Sequence, residues 1–479
     1  MNLPVERMSK VDTAWLRMDT PENLMMIVGI WVLSPRLTVE QVRERCVSNL
    51  LPYRRFRQRV EEDVMGALWI EDEQFDIANH VETATLSPRE HQSNWEALRE
   101  HVASLTSEPL DPAHPLWHME LIEDFEGRSV LISRLHHCIA DGIALISVML
   151  SITDGGTPPP KRKAGKEPEH EHEGEHDWII EMLLKPITDM TVKAVQLTSK
   201  GVSTGLDLMG RAEHPMDGPL QAARLGYQAM SDVSALALMP DDSHTRLKGK
   251  PGVRKRVAWN DELPLDEVKA VGKALGCSVN DVLLASVAGA IGAYLRAHGE
   301  RVGGKEIRAM VPVNLRPMEK AYQLGNRFGL VPLLLPIGID NPVERVYAVR
   351  ARMQELKGSL QPIMAFGLLS VAGLFIKSVQ NAMLNLFAKK ATAVMTNVPG
   401  PAKPLKFCAS TVEQVMFWVP QSGDIGMGVS ILTYAGRVQF GLITDAKLCP
   451  DPEAIVERLA PEFEKLTTLT MMLPWAEPA

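Results

Sequence analysis

Cysteine is scarce and scattered. The five in 479 residues, Cys46, Cys138, Cys277, Cys408 and Cys449, include no Cys-x-x-Cys pair, which argues against a zinc ribbon or a disulfide framework and suits a reducing compartment. Neither a Gly-x-x-x-x-Gly-Lys-Ser/Thr loop nor a Gly-x-Gly-x-x-Gly turn occurs, so nucleotide hydrolysis and dinucleotide redox chemistry have no support. Long hydrophobic runs are missing too: the apolar stretch 363–376 falls short of the roughly 20 residues that a spanning helix needs. Residues 1–7 hold no basic segment followed by an apolar core, so a secretory leader is not expected. Nor is there an excess of positive charge, and the net charge of −8 argues against nucleic acid as a partner. What remains, 45% hydrophobic and 23% charged residues over this length, is the composition of a soluble globular protein of two domains.

The stretch richest in chemistry is 130–142. Alternating apolar residues over 130–135 read as a buried strand, and Asp141-Gly142, followed by Ile143, Leu145, Ile146 and Met149, reads as a turn entering a helix. His136 and His137 therefore stand at a strand end, at the lip of a crevice. Adjacent strand residues face opposite sides, so one imidazole can meet the crevice and the other the core. Asp141 lies four residues after His137, close enough through the turn to fix a ring or brace the loop. Ordinary packing accounts for the same residues. Zinc held by two imidazoles and a carboxylate is a further alternative, although it requires the strand to break between the histidines. Cys138 is a conceivable nucleophile, but alternation directs it away from the side His137 faces, which favours packing.

Strand-like 26–33 followed by helical 39–50 indicates α/β layers. Pro115-Leu116-Trp117 heads an apolar run at 119–122, with Trp117 assigned to packing. From Asp154 the composition turns to Gly155-Gly156, prolines at 158–160 and a His/Glu tract at 169–176, the make-up of a solvated connector. Segment 178–209 is amphipathic, with Lys185, Lys193 and Lys200 interspersed, and fits either a membrane surface or a bridge between domains. Lys248, Lys250, Arg254, Lys255 and Arg256 form a basic cluster able to meet phosphates or simply to be solvated. In 278–285 one of Ser278 and Asn280 caps a helix and leaves the other free. Strand 308–312 delivers Asn314 and Arg316, the latter a candidate partner of Asp141. A strand at 330–335, a helix at 343–356 and a hairpin of 427–432 with 437–443 complete the pattern. The expected division is 1–153, a connector over 154–215, and 216–479.

His136-His137-x-x-x-Asp141-Gly142 resembles the HHxxxDG motif of the wax ester synthase/diacylglycerol acyltransferase family, a bacterial branch of the CoA-dependent acyltransferase superfamily. Pro115-Leu116-Trp117 is similar to that family's PLW motif, Asn280-Asp281 to its ND motif, and Asn397-Val398-Pro399-Gly400-Pro401 to its NVPGP motif, in the family's order. Val311-Pro312-Val313-Asn314-Leu315-Arg316 and Gly325-Asn326-Arg327 look like family stretches too, so the similarity runs over about 9–451.

The resemblance implies an α/β fold of two chloramphenicol-acetyltransferase-like three-layer lobes with an active-site tunnel at their interface. It implies transfer of a fatty acyl group from acyl-CoA to a long-chain alcohol or to diacylglycerol; with no serine elbow recognised, the expected scheme is a ternary complex without an acyl-enzyme. His137 is the expected general base, His136 and Asp141 loop braces, and Asn280 an oxyanion donor. Gly142, Ala144 and Asp281 are expected at the substrate, and Lys248, Arg254 and Arg256 at the CoA phosphates. On this reading Ala144 borders the alcohol channel and 363–376 lines it. No permanent cofactor or metal is expected, and acyl-CoA is a co-substrate. A cytoplasmic protein at the inner membrane or lipid inclusions, and a homodimer, are in keeping with it. The rival readings are a condensation-type enzyme fed by a carrier-protein thioester and a non-catalytic lipid-binding protein, which would have no use for the histidines.

Overall fold

The computed structural model describes residues 5–63, 66–156, 240–314, 324–326, 328–357 and 389–472. Two large sheets organise them. The first runs in the order Lys406–Phe407, Ser410–Trp418, Met26–Ser34, Arg128–His136, Trp117–Phe125 and Val81–Thr83. The second runs Phe328–Leu335, Ile307–Asn314, Ala393–Pro399, Met427–Tyr434, Arg437–Asp445 and Lys255–Trp259, with the short Leu263–Pro264 also on Arg437–Asp445.

The Arg128–His136 strand is central to the first sheet and buried along almost its whole length, which is why its residues are apolar on both faces. Leu131 and Leu135 pack with Trp15, Trp117 and Ala144. Val130 and Ile132 face the opposite way and pack with Val28, Ile30, Leu98 and Val102. Leu98 and Val102 belong to helix Asn94–Leu105, whose start is fixed by a capping box between Ser93 and Glu96. Apolar side chains of helices Leu265–Leu275, Val279–Ala297, Pro342–Lys357 and Leu459–Met471 share one core with the second sheet.

The lobes exchange a strand. Ser410–Trp418, from the second half of the sequence, pairs antiparallel with Met26–Ser34 and covers what would otherwise be an open edge of the first sheet. The division at 216 therefore does not follow the sheets. Close approach of the two sheets holds the crossing strand in place. Ser430 Oγ donates to the Phe417 carbonyl, and a Cβ on Gly441 would fall 2.4 Å from the same oxygen, so only glycine fits there. Lys255 adds a buried tie between the halves. Its Nζ donates to Asn23 Oδ1 at 3.0 Å and to Asp445 Oδ2 at 3.3 Å, and its backbone N–H donates to Ser107 Oγ at 3.1 Å. Burial pushes the Lys255 ammonium below its ordinary range, with the Asp445 carboxylate acting in opposition.

Candidate active site

The paired histidines sit where the Arg128–His136 strand leaves its sheet. The His136 N–H donates to the Leu116 carbonyl at 3.0 Å and the His137 N–H to the Met25 carbonyl at 2.7 Å. The chain then turns: the Ile139 N–H donates back to the His136 carbonyl at 3.1 Å, and Ala140 bridges to Gly325. Asp141 caps helix Gly142–Ser151 by accepting the Ala144 N–H on Oδ1 at 3.0 Å. Asp-Gly is thus a helix start, and the carboxylate is buried at that helix end.

The two imidazoles face different surroundings. His136 Nδ1 accepts the Cys138 N–H at 3.1 Å, so in the neutral ring the proton is on Nε2, which lies 3.4 Å from Asp19 Oδ2. The His137 ring lies flat on Trp15, with centroids 4.3 Å apart and planes 16° apart, and Phe328 stands 5.6 Å away. The ring is enclosed, with His137 only 8% exposed. Nδ1 is fully buried and makes no hydrogen bond to another of the described residues, which leaves Nε2 as the nitrogen available to a reacting hydroxyl.

Burial pushes the His137 imidazole down to about 4, against the opposing pull of Asp141 and of its own carbonyl. The ring is therefore neutral throughout the physiological range, the state a general base requires. Two pH effects follow. The rate should rise with pH through the region of 4 and stay level across neutrality, as a profile of kcat/KM will report. Because the folded-state value lies below that of an unfolded histidine, the stabilising contribution is complete above about 6.5 and declines as pH falls towards 4; denaturant titrations at stepped pH measure that decline.

Two segments hold the loop. Asn326 Nδ2 donates to the His137 carbonyl at 2.8 Å and to Asp12 Oδ1 at 2.8 Å, and its backbone N–H reaches the same Asp12 oxygen at 2.9 Å. Asp12 and Trp15 come from helix Lys10–Arg17. Gly325 has φ +103, and a Cβ there would meet Asp12 Oδ2 at 3.4 Å, so glycine meets both the backbone and the space requirement. Burial raises the Asp12 carboxyl above its usual range, although the Asn326 and Ser9 hydrogen bonds work the other way. Sequence reasoning assigned no role to Asp12, Trp15, Asn326 or Phe328. The one available signal was Gly325-Asn326, noted as a family-like stretch without a function.

Of the other expected site residues, Asn280 accepts a hydrogen bond from Asn397 Nδ2 at 2.9 Å, which joins the ND and NVPGP stretches. The Asp281 carboxylate serves the helix end: Oδ2 accepts the Ser278 N–H at 2.9 Å in a capping box. Gly142 is exposed, with open space where a Cβ would stand. Ala144, expected at the channel, is 0% exposed within the first lobe's core. Ala144→Phe should therefore overpack that core and cost about 1–3 kcal/mol, read as a lowered denaturation midpoint.

The basic cluster does not act as one patch. Lys248 Nζ donates to the Ala391 carbonyl, Lys255 is buried against Asp445, and Arg256 pairs with Glu453 at 3.4 Å. Arg254 is exposed. Cys138 is packed in the first lobe's core. Among the described residues no three His, Cys, Asp or Glu side chains converge as metal ligands. Arg316, the 169–176 tract, segment 178–209 and the 363–376 run lie outside the described residues.

Two α/β lobes sharing a strand, with a histidine pair at a strand end and a carboxylate capping the next helix, make up the two-lobed arrangement that the HHxxxDG resemblance implies. Comparison with known proteins specifies the family. A wax ester synthase/diacylglycerol acyltransferase catalytic domain matches residues 8–283, and a WS/DGAT C-terminal domain matches residues 324–467. The chain belongs to the wax ester synthase/diacylglycerol acyltransferase family and is an O-acyltransferase.

It is 23% identical to O-acyltransferase WSD of Acinetobacter baylyi, over 95% of each chain. It is also 23% identical to "Probable diacyglycerol O-acyltransferase tgs1" of Mycobacterium tuberculosis, over 97% of this chain and 96% of the relative. Among solved structures, the wax ester synthase/diacylglycerol acyltransferase of Marinobacter aquaeolei VT8 superimposes with a TM-score of 0.65 at 18% identity, covering 98% of this chain and 100% of the other. The starter condensation domain of rhizomide synthetase, in complex with C8-CoA, gives a TM-score of 0.54 at 14% identity over 98% and 95% of the two chains.

Proposed function

We propose that the protein joins a fatty acyl group from acyl-CoA to a long-chain alcohol, or to the free hydroxyl of a diacylglycerol, with His137 as the base. The observation that carries this is the enclosed neutral imidazole whose Nδ1 is sealed. Nε2 takes the hydroxyl proton as the alkoxide oxygen bonds to the thioester carbonyl carbon. The tetrahedral intermediate then collapses, its C–S bond breaks, and the imidazolium returns the proton to the departing thiolate. Asn280 Oδ1 is occupied by Asn397, which leaves its Nδ2 to donate to the oxyanion. Such a donor is worth about 3–4 kcal/mol in the transition state. Arg254, exposed at the surface, is the remaining candidate for a CoA phosphate. The water-insoluble acceptors favour work at the cytoplasmic membrane face or on lipid inclusions.

A covalent route is the second reading, because residues 201–205, Gly-Val-Ser-Thr-Gly, spell the Gly-x-Ser-x-Gly string of serine elbows. They lie outside the described residues. Their sequence context is an amphipathic segment and not the strand that an elbow needs, which favours direct transfer. Incubation with palmitoyl-CoA and either hexadecanol or dipalmitoylglycerol should release free thiol only when the acceptor is present and yield the matching ester. Thiol release without ester, or none with either acceptor, contradicts the assignment.

A further inference from the structure

Trp15 reaches the active site from helix Lys10–Arg17. Ser9 caps that helix by accepting the Asp12 N–H at 3.1 Å, and residues three apart on a helix share a face, so Asp12 and Trp15 arrive at the histidine loop together. Asp12 is fastened to Asn326, and Trp15, only 5% exposed, meets His137. Its Nε1–H is buried with no hydrogen-bond partner among the described residues, although a buried indole ordinarily finds one. The indole is therefore held by its face, against the imidazole at a centroid separation of 4.3 Å.

We infer, on the reading of His137 as the base, that this face stabilises the imidazolium formed as Nε2 takes the hydroxyl proton, which makes Trp15 a positioning residue for acyl transfer. The resting tautomer needs no help, because the hydrogen bond from Nδ1–H to the ring's own carbonyl already sets it. The charged ring does. It forms in an enclosed site that opposes charge, and an indole face presents the negative part of its quadrupole to whatever lies on it. A cation within about 6 Å of a tryptophan centroid is attracted, most of all when water is excluded, and planes 16° apart keep the imidazolium over that face. The attraction to the neutral ring is smaller, so the gain arrives with the proton and lowers the barrier. Of the charged or titratable groups about the ring, Asp141 favours the imidazolium and His136 opposes it, both from the same loop, and Asp12 lies on Trp15's own helix. Phe328, tilted 48° at 5.6 Å, adds an uncharged ring from the second sheet.

The test uses the whole protein, with palmitoyl-CoA and hexadecanol as substrates. Trp15→Leu keeps an apolar side chain and removes the π face, and kcat should fall about 10- to 30-fold with KM for both substrates little changed. Trp15→Phe retains a weaker face and should fall between leucine and the native residue. The decisive variants carry mono-, di- and trifluorinated tryptophan at position 15, since fluorine drains the π face and hardly alters the ring's shape. Along that series kcat should decline step by step, whereas a role confined to packing would leave it flat. Leucine with wild-type kcat, or a flat series at matched thermal stability, overturns the inference, and the series decides alone should the leucine variant not fold. His137→Ala separates the two levels. Retained activity there removes the base assignment itself, whereas an inactive His137→Ala beside a flat series removes only the role of Trp15.

Discussion

Replacing His137 with alanine is expected to remove acyl transfer while leaving the fold standing. A positioned base contributes about 10²–10⁴-fold, and the adjacent imidazole is not placed to take over: His136 is engaged with the Cys138 N–H and faces Asp19. The structural cost should be small for so buried a residue. The lost stacking on Trp15 is offset by removal of a buried nitrogen that has no partner among the described residues, a kind of group that costs about 1–3 kcal/mol. Ester formation measured beside circular dichroism and a thermal melt checks both halves. Activity within tenfold of wild type, at matched folding, contradicts the role given to the ring.

The second large effect belongs to Lys255→Ala. Asp445 is fully buried, and its ion pair with Lys255 would lose its cation, leaving an uncompensated interior charge at a cost of about 3–5 kcal/mol. Asn23 Oδ1 would lose the hydrogen bond from Lys255 at the same time. Urea titration should show the shift as a lowered denaturation midpoint. A change below about 1 kcal/mol would show the pair to be as weak as one on the surface.

These two sites differ in how far the sequence reveals them. The strand, the His pair and the Asp-Gly helix start are encoded within a dozen residues by alternation and turn chemistry, and they stand in the structure as Arg128–His136 and Gly142–Ser151. The paired strands Met427–Tyr434 and Arg437–Asp445 were equally plain, because Ala435 and Gly436 supply the positive φ angles of a tight hairpin.

Lys255 was misread for a physical reason. Within 248–256 it looks like one charge in a solvated run, and the groups that bury it lie 232 and 190 positions away. Asp12 and Asn326 are 314 positions apart, so neither carries a local sign of the clamp they form on the histidine loop. The crossing of Ser410–Trp418 into the first sheet is likewise a matter of which edge stands open, and no periodicity reports it. Ala144 was placed at a channel because a helix start borders the crevice, but its Cβ turns into the core.

The most direct measurement is a rapid mix of the protein with palmitoyl-CoA alone, followed by addition of hexadecanol, with free thiol and intact protein mass recorded in parallel. The account predicts no thiol and no added mass until the alcohol arrives, then thiol and ester in equal amounts. One equivalent of thiol released before the alcohol, with a palmitoyl increment on the protein, would contradict direct attack assisted by His137.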